Sequence, residues 1–136
     1  MTPEEKLLRE SKVIAVVGIS PKPDRPSSQV ASYLREKGYK IIPVNPGFSE
    51  IRGEKCYPSL SAVPEPVDIV DVFRASDYVG PIVEEAIAKK VRAVWLQLGV
   101  VNEQAAARAA SAGLQVVMDK CLMMEHRRVF GGERES

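Results

Sequence analysis

The sequence predicts an α/β protein: one domain over residues 1–136, built on a doubly wound, mainly parallel sheet of five strands with helices on both faces. Three observations predict it. Short runs rich in Val, Ile or Leu occur five times, spaced by roughly 20 to 28 residues. Most of these runs are nearly continuous rather than alternating, as expected of strands covered on both faces. Helix-patterned segments lie between several of them, and right-handed strand–helix–strand crossovers then leave a doubly wound topology.

The elements follow in order. Residues 3–11 read as a short flanking helix. Val13–Val17, VIAVV, is the first strand. Residues 27–37 place Val30, Tyr33 and Leu34 on one helical face and stop at Gly38. Residues 39–44, YKIIPV, form the second strand. The pattern weakens over residues 45–67, where Pro46-Gly47 reads as a turn and 58–62 as one helical turn. The third strand is 67–73, VDIVDVF. A helix over 78–90 lines up Ile82, Val83, Ala86 and Ile87, with Pro81 in its first turn. Residues 93–98 give the fourth strand. An alanine-rich helix over 102–112 starts on an Asn102 cap and stops at Gly113. Residues 114–118 give the fifth strand, and a helix after Asp119 flanks the sheet. No linker, repeat or low-complexity tract divides the chain, whose core spans about residues 12–128.

Composition narrows the function. Apolar residues are 45% and charged residues 27%, with net charge +1, so no global field recruits nucleic acid or an anionic membrane. Any anion site must be local. The apolar runs are too short to cross a bilayer, and the charged start MTPEEKLLRESK lacks a signal core, which predicts a cytoplasmic protein. Two cysteines make no disulfide framework, and one histidine excludes a multi-histidine metal site.

The first strand runs into Gly18-Ile19-Ser20, and in open parallel sheets ligands sit beyond the carboxyl ends of strands. Gly18 permits a tight turn and close approach. Backbone amides here and at the start of the following helix can face an anion. Pro21, Pro23 and Pro26 stiffen the loop and cannot donate. Lys22 and Arg25 add charge, and Ser20, Ser27 and Ser28 add hydroxyls. The set suits a pyrophosphate. The plainer reading is a strand–helix turn with solvated cations. The second strand discriminates among ligands. An NAD site carries Asp or Glu about 20 residues after the glycine turn. Here Asn45-Pro46 stands there, with no carboxylate before Glu50 and with Lys40, Arg52 and Lys55 nearby in sequence. That suits a phosphorylated ribose, which leaves NADP and coenzyme A open.

The motifs VVGISPKPDRPS, GYKIIPVNP, YPSL, VDIVDVFR and WLQLGVVNEQAAARAASAGLQVVMDKC, with the late Glu125, give a resemblance over about residues 12–128. The chain resembles the stand-alone CoA-binding domain proteins related to the N-terminal CoA-binding domain of succinyl-CoA synthetase alpha chains. The resemblance implies a Rossmann-like fold that binds coenzyme A or an acyl-CoA. It places Gly18, Ile19 and Ser20 at the pyrophosphate turn, with Lys22, Arg25 and Ser27 nearby. Asn45 and Pro46 would border the adenosine, Val72, Phe73 and Arg74 would form a second wall, and Leu98 and Gly99 would approach the pantetheine arm. The synthetase domain has a lysine soon after its Pro-Gly; this chain has Phe48, and Lys55 or Arg52 would have to supply that charge. The synthetase's second domain, with its phosphorylated histidine, has no counterpart here, so synthetase activity is not implied.

Other residues remain candidates. His126 lacks an evident partnered nucleophile and reads as an exposed residue of a terminal helix. Cys121, after Asp119-Lys120 near a helix start, is either a thiol that exchanges with that of CoA or a small half-buried residue. Cys56 and Trp95 read as core. Asp68 lies on the third strand, and Asp71 near its carboxyl end either meets ligand or caps a loop. Arg127, Arg128 and Arg134 read as a solvated basic end. No acid–base or nucleophilic set is convincing, so the sequence favours binding without catalysis. The alternatives are an NADP-dependent reductase and a CoA-sensing regulatory subunit of an acyl-CoA enzyme partner.

Overall fold

The computed structural model describes residues 1–134. Helix α1 (Pro3–Glu10) precedes β1 (Val13–Val17), α2 (Pro26–Glu36) and β2 (Lys40–Val44). A small hairpin, β3 (Glu50–Ile51) and β4 (Glu54–Lys55), comes next. Then follow β5 (Ile69–Val72), α3 (Val79–Lys89), β6 (Ala93–Leu96), α4 (Glu103–Ser111), β7 (Gln115–Val117) and α5 (Leu122–Arg134). Short 3-10 turns occupy Leu60–Ala62 and Ser76–Tyr78. No helix among the described residues is long and apolar enough to cross a membrane.

The main sheet has five parallel strands in the order β2-β1-β5-β6-β7. The chain steps outward from β1 to β2, then returns to the other side of β1 to lay down β5, β6 and β7. The order therefore reverses between β1 and β5, which opens a crevice at their carboxyl ends. Tyr57 adds a one-residue parallel bridge beside Val44, a rudiment of a further strand outside β2.

Strand periodicity divides the core into two layers. Ala15, Val17, Val70, Val72, Val94 and Leu96 pack with α3 and α4. Ile14, Val16, Ile69 and Trp95 pack with α1, α2 and the start of α5. Ile14, Val16, Ile69 and Leu96 are completely buried, each worth roughly 1.5–3 kcal/mol of transfer free energy. Asp68 joins the two halves at the amino ends: its Oδ2 accepts the N–H groups of Lys12 at 2.8 Å and Val13 at 2.9 Å.

The helix punctuation works as the residue types dictate. Thr2 Oγ1 accepts from Glu5 N–H at 3.1 Å, and Asn102 Oδ1 accepts from Ala105 N–H at 2.9 Å. Three expectations need correction. The segment 45–67 contains a hairpin as well as a turn, folded about Arg52-Gly53, whose φ values are 52° and 84°. Asp68 precedes its strand, β5, and its carboxylate accepts hydrogen bonds at the start of the neighbouring β1. His126 is buried, not exposed: it is 5% exposed, with Nδ1 2.8 Å from the Tyr33 hydroxyl and its ring against Tyr39 and Phe130. Arg127 lies over the Tyr33 ring and Arg128 pairs with Glu125, whereas the side chain of Arg134 lies outside the described residues.

Candidate functional site

The crevice begins at Gly18, directly after β1. Its φ of 89° favours glycine, and its N–H donates to Val44 O at 2.8 Å. A Cβ at this position would sit 2.5 Å from Phe73 O and 2.9 Å from Arg74 Cδ. Glycine is thus required by the close approach of the chain leaving β5, independently of any ligand.

The loop from Ile19 to Pro26 is closed on the first turn of α2. Ser20 N–H donates to Ser27 Oγ at 2.9 Å, and Ser28 Oγ donates to Ser20 O at 2.6 Å. Ser20 Oγ accepts from Lys22 N–H at 3.1 Å, and Arg25 N–H donates to Lys22 O at 3.2 Å. Ser27 and Ser28 are buried, so their hydroxyls shape the loop. Asn45 ties this loop to the tip of β2: Nδ2 donates to Ile19 O and Oδ1 accepts from Gly47 N–H, each at 2.9 Å.

That accounting leaves a short list of donors. Among the described residues, the N–H groups of Ile19, Asp24 and Ser27 take no partner. Lys22 and Arg25 are exposed and form no ion pair among the described residues. Three amide donors and two solvent-facing cations therefore stand at the reversal of strand order, an arrangement suited to an anion.

Two pockets flank this loop, one on each face of the sheet. The first, about 190 Å³, lies on the α3 side and is walled by Gly18, Val44, Pro46, Pro58, Arg74 and Tyr78. Its walls are mostly apolar, and the Arg74 guanidinium lies 4.5 Å from the centroid of the Tyr78 ring. The second, about 340 Å³, lies on the α2 and α5 side, with Pro26, Phe73, Gln97, Leu98 and Cys121 in its wall. A larger open groove of about 680 Å³, including Lys12, Gly38 and Tyr39, lies at the amino ends of β1 and β2. That is the opposite edge of the sheet from the strand-order reversal, away from where such folds bind ligands.

The structure gathers most of the residues that sequence motifs single out. Gly18, Pro46 and Arg74 share the first pocket; Phe73 and Leu98 share the second. Gly99 follows Leu98, and its N–H is spent on Asp119 Oδ1 at 2.8 Å. Val72 is completely buried in the α3-side core. Lys55 is exposed on β4 with its Nζ 5.2 Å from the Tyr57 ring centroid, and lines neither pocket. Asp71 neither caps a loop nor reaches either pocket wall: it is buried, with both oxygens unpartnered among the described residues. Burial pushes the Cys56 thiol up. Sequence reasoning missed Tyr78 and Gln97. Tyr78 carried a faint signal, an aromatic residue beside a strand tip; Gln97 carried none beyond its place after an apolar run.

A family model described as "CoA binding domain" matches residues 12–127. Uncharacterized protein YneT of Bacillus subtilis is 41% identical over 122 residues, which cover 90% of each chain. The solved structure of a hypothetical protein from Pyrococcus horikoshii OT3 superposes with a TM-score of 0.91 at 41% identity, covering 96% of this chain and 94% of that one. ADP-forming acetate–CoA ligase I of Archaeoglobus fulgidus is 36% identical over 80 residues, which are 59% of this chain and only 12% of the ligase.

Proposed function

This chain belongs to the CoA binding domain family, and on that footing we propose that it holds coenzyme A, or an acyl-CoA, across the carboxyl ends of its sheet without a catalytic step of its own. The observation that carries the reading is the loop after β1: the Ile19 and Ser27 N–H groups, unspent among the described residues, stand with the unpaired cations Lys22 and Arg25 at the strand-order reversal. The diphosphate of CoA meets these donors. The adenine slides between the apolar walls of the α3-side pocket, against Pro46 and Tyr78, and Arg74 faces the phosphorylated sugar. The β2 tip supports a phosphorylated ribose over a free diol, because Asn45 stands where a carboxylate would repel the 3′-phosphate. The pantetheine arm crosses the strand tips toward Leu98 and Gly99.

Isothermal titration with CoA, acetyl-CoA, NADP and NAD tests this. The expected result is heat with CoA or acetyl-CoA and weaker binding of NADP, with NAD weakest. No heat from CoA at high micromolar ligand, or preference for NADP with oxidation of its reduced form by a carbonyl compound, would replace this reading with that of a reductase.

A further inference from the structure

We propose that the pocket bounded by α2, the tip of β6 and the start of α5 is a thiol-exchange site, in which Cys121 forms a mixed disulfide with the sulfur of coenzyme A. The inference rests on the CoA-binding reading above and adds a covalent, reversible state to it.

Three observations carry it. Cys121 is half-buried in the wall of a pocket of about 340 Å³, whose lining includes Leu98 and Met124, 62% and 57% exposed. Such open apolar surface suits a pantetheine arm, which alternates short alkyl segments with amides. Gln97, in the same wall, is only 6% exposed, yet half of its amide is unused. Its Oε1 accepts from Leu122 N–H at 3.3 Å, while its Nε2 donates to no group among the described residues. That amide nitrogen is not enclosed, so it can donate into the pocket, and a pantetheine carbonyl supplies the acceptor. The pocket also adjoins the phosphate loop. Pro26, which directly follows Arg25, lies in its wall, and Phe73 in the same wall is followed by Arg74 in the wall of the adenosine pocket. One ligand can therefore run from one pocket to the other past Gly18. Cys56 offers the contrast: it is 4% exposed and far less accessible to a disulfide.

The co-reactant is a disulfide of CoA, with itself or with another small thiol. The Cys121 thiolate attacks the CoA-side sulfur. The original S–S bond breaks, the Cys121–CoA disulfide forms, and the second thiolate leaves and takes up the proton released by Cys121. One disulfide is exchanged for another, with no net oxidant, and excess free thiol reverses the step.

The test incubates the full chain with oxidised CoA dimer, or with glutathione disulfide at the same concentration, and follows intact mass and peptide mapping. One CoA adduct on Cys121 is expected, forming roughly tenfold or more faster than the glutathione adduct because the nucleotide positions the reacting sulfur. The adduct is lost in Cys121→Ser and forms more slowly in Gln97→Leu. Equal rates with the two disulfides, modification of Cys56 instead, or no adduct would overturn the proposal. Titration of the reduced wild-type chain with CoA separates the two readings: heat with CoA but no adduct from its disulfide overturns thiol exchange alone, and no heat overturns both.

Discussion

Asp71 is completely buried on β5, and neither of its carboxylate oxygens has a partner among the described residues. Its register neighbours are Val16 and Trp95, and strand alternation turns it toward the apolar α2-side layer. Burial raises its pKa well above the ordinary carboxylate range. The folded chain therefore binds this proton more tightly than the unfolded chain. Its contribution to stability is fully present below the unfolded pKa of about 4 and is lost as pH rises toward the folded pKa. Replacement by Val, which matches the neighbouring strand residues, should raise stability near neutrality by about 1–3 kcal/mol, the cost of an unsatisfied buried polar group. Urea melts of wild type and Asp71→Val at about pH 5 and about pH 8 would check it, with the gap wider at the higher pH. A variant less stable by the same amount at both values would mean that the carboxyl is favourably accommodated. A strand-borne Asp among apolar residues reads equally well as a ligand contact or a cap from sequence, because burial depends on strand order and helix packing. The same limit applies to His126, whose burial follows from Tyr33 and Tyr39, residues far away in the chain.

The strands and helices themselves were readable because each announces itself locally. The Asn102 cap, the Pro81 in a first turn and the continuous Val/Ile runs all act within a few residues. The β3–β4 hairpin did not announce itself. Its strands are two residues each, and its turn uses Arg52-Gly53 instead of the Asn-Gly or Asp-Gly pair that favours such turns. The division of labour within the site was also hidden. Asn45 is visible as the absence of an acid, but its side chain spans two segments 26 residues apart, from the β2 tip to Ile19 O. One of its two hydrogen bonds holds the loop after β1 against the sheet, and the other closes the turn at Gly47. Asn45→Ala should therefore cost about 1–2 kcal/mol of stability, the net worth of two such bonds. CoA affinity should fall with it, because the loop donors lose their alignment. Denaturant melts and CoA titration on one preparation would check this; unchanged affinity beside reduced stability would show that the loop holds its shape without Asn45.

The molecule as a whole carries almost no net charge, so the proposed binding of a polyanion must come from where its cations stand. Topology decides that. The reversal of strand order between β1 and β5 sets the β1 loop at the crevice, and the three prolines of that loop leave few backbone donors. Lys22 and Arg25 face solvent there without an ion-pair partner among the described residues, so removing them leaves no buried charge unpaired. The Lys22→Ala, Arg25→Ala double variant should keep its melting temperature, since exposed side chains away from packing contacts contribute little to stability. Its CoA affinity at low salt should fall by about tenfold or more, which corresponds to roughly 1.4 kcal/mol. Salt should weaken wild type more than the variant, because screening acts on the charges that the variant lacks. Calorimetric titration at two ionic strengths measures both effects. Equal affinity and equal salt dependence in the two proteins would move the phosphates off this loop, and with them the whole orientation of the ligand across the sheet.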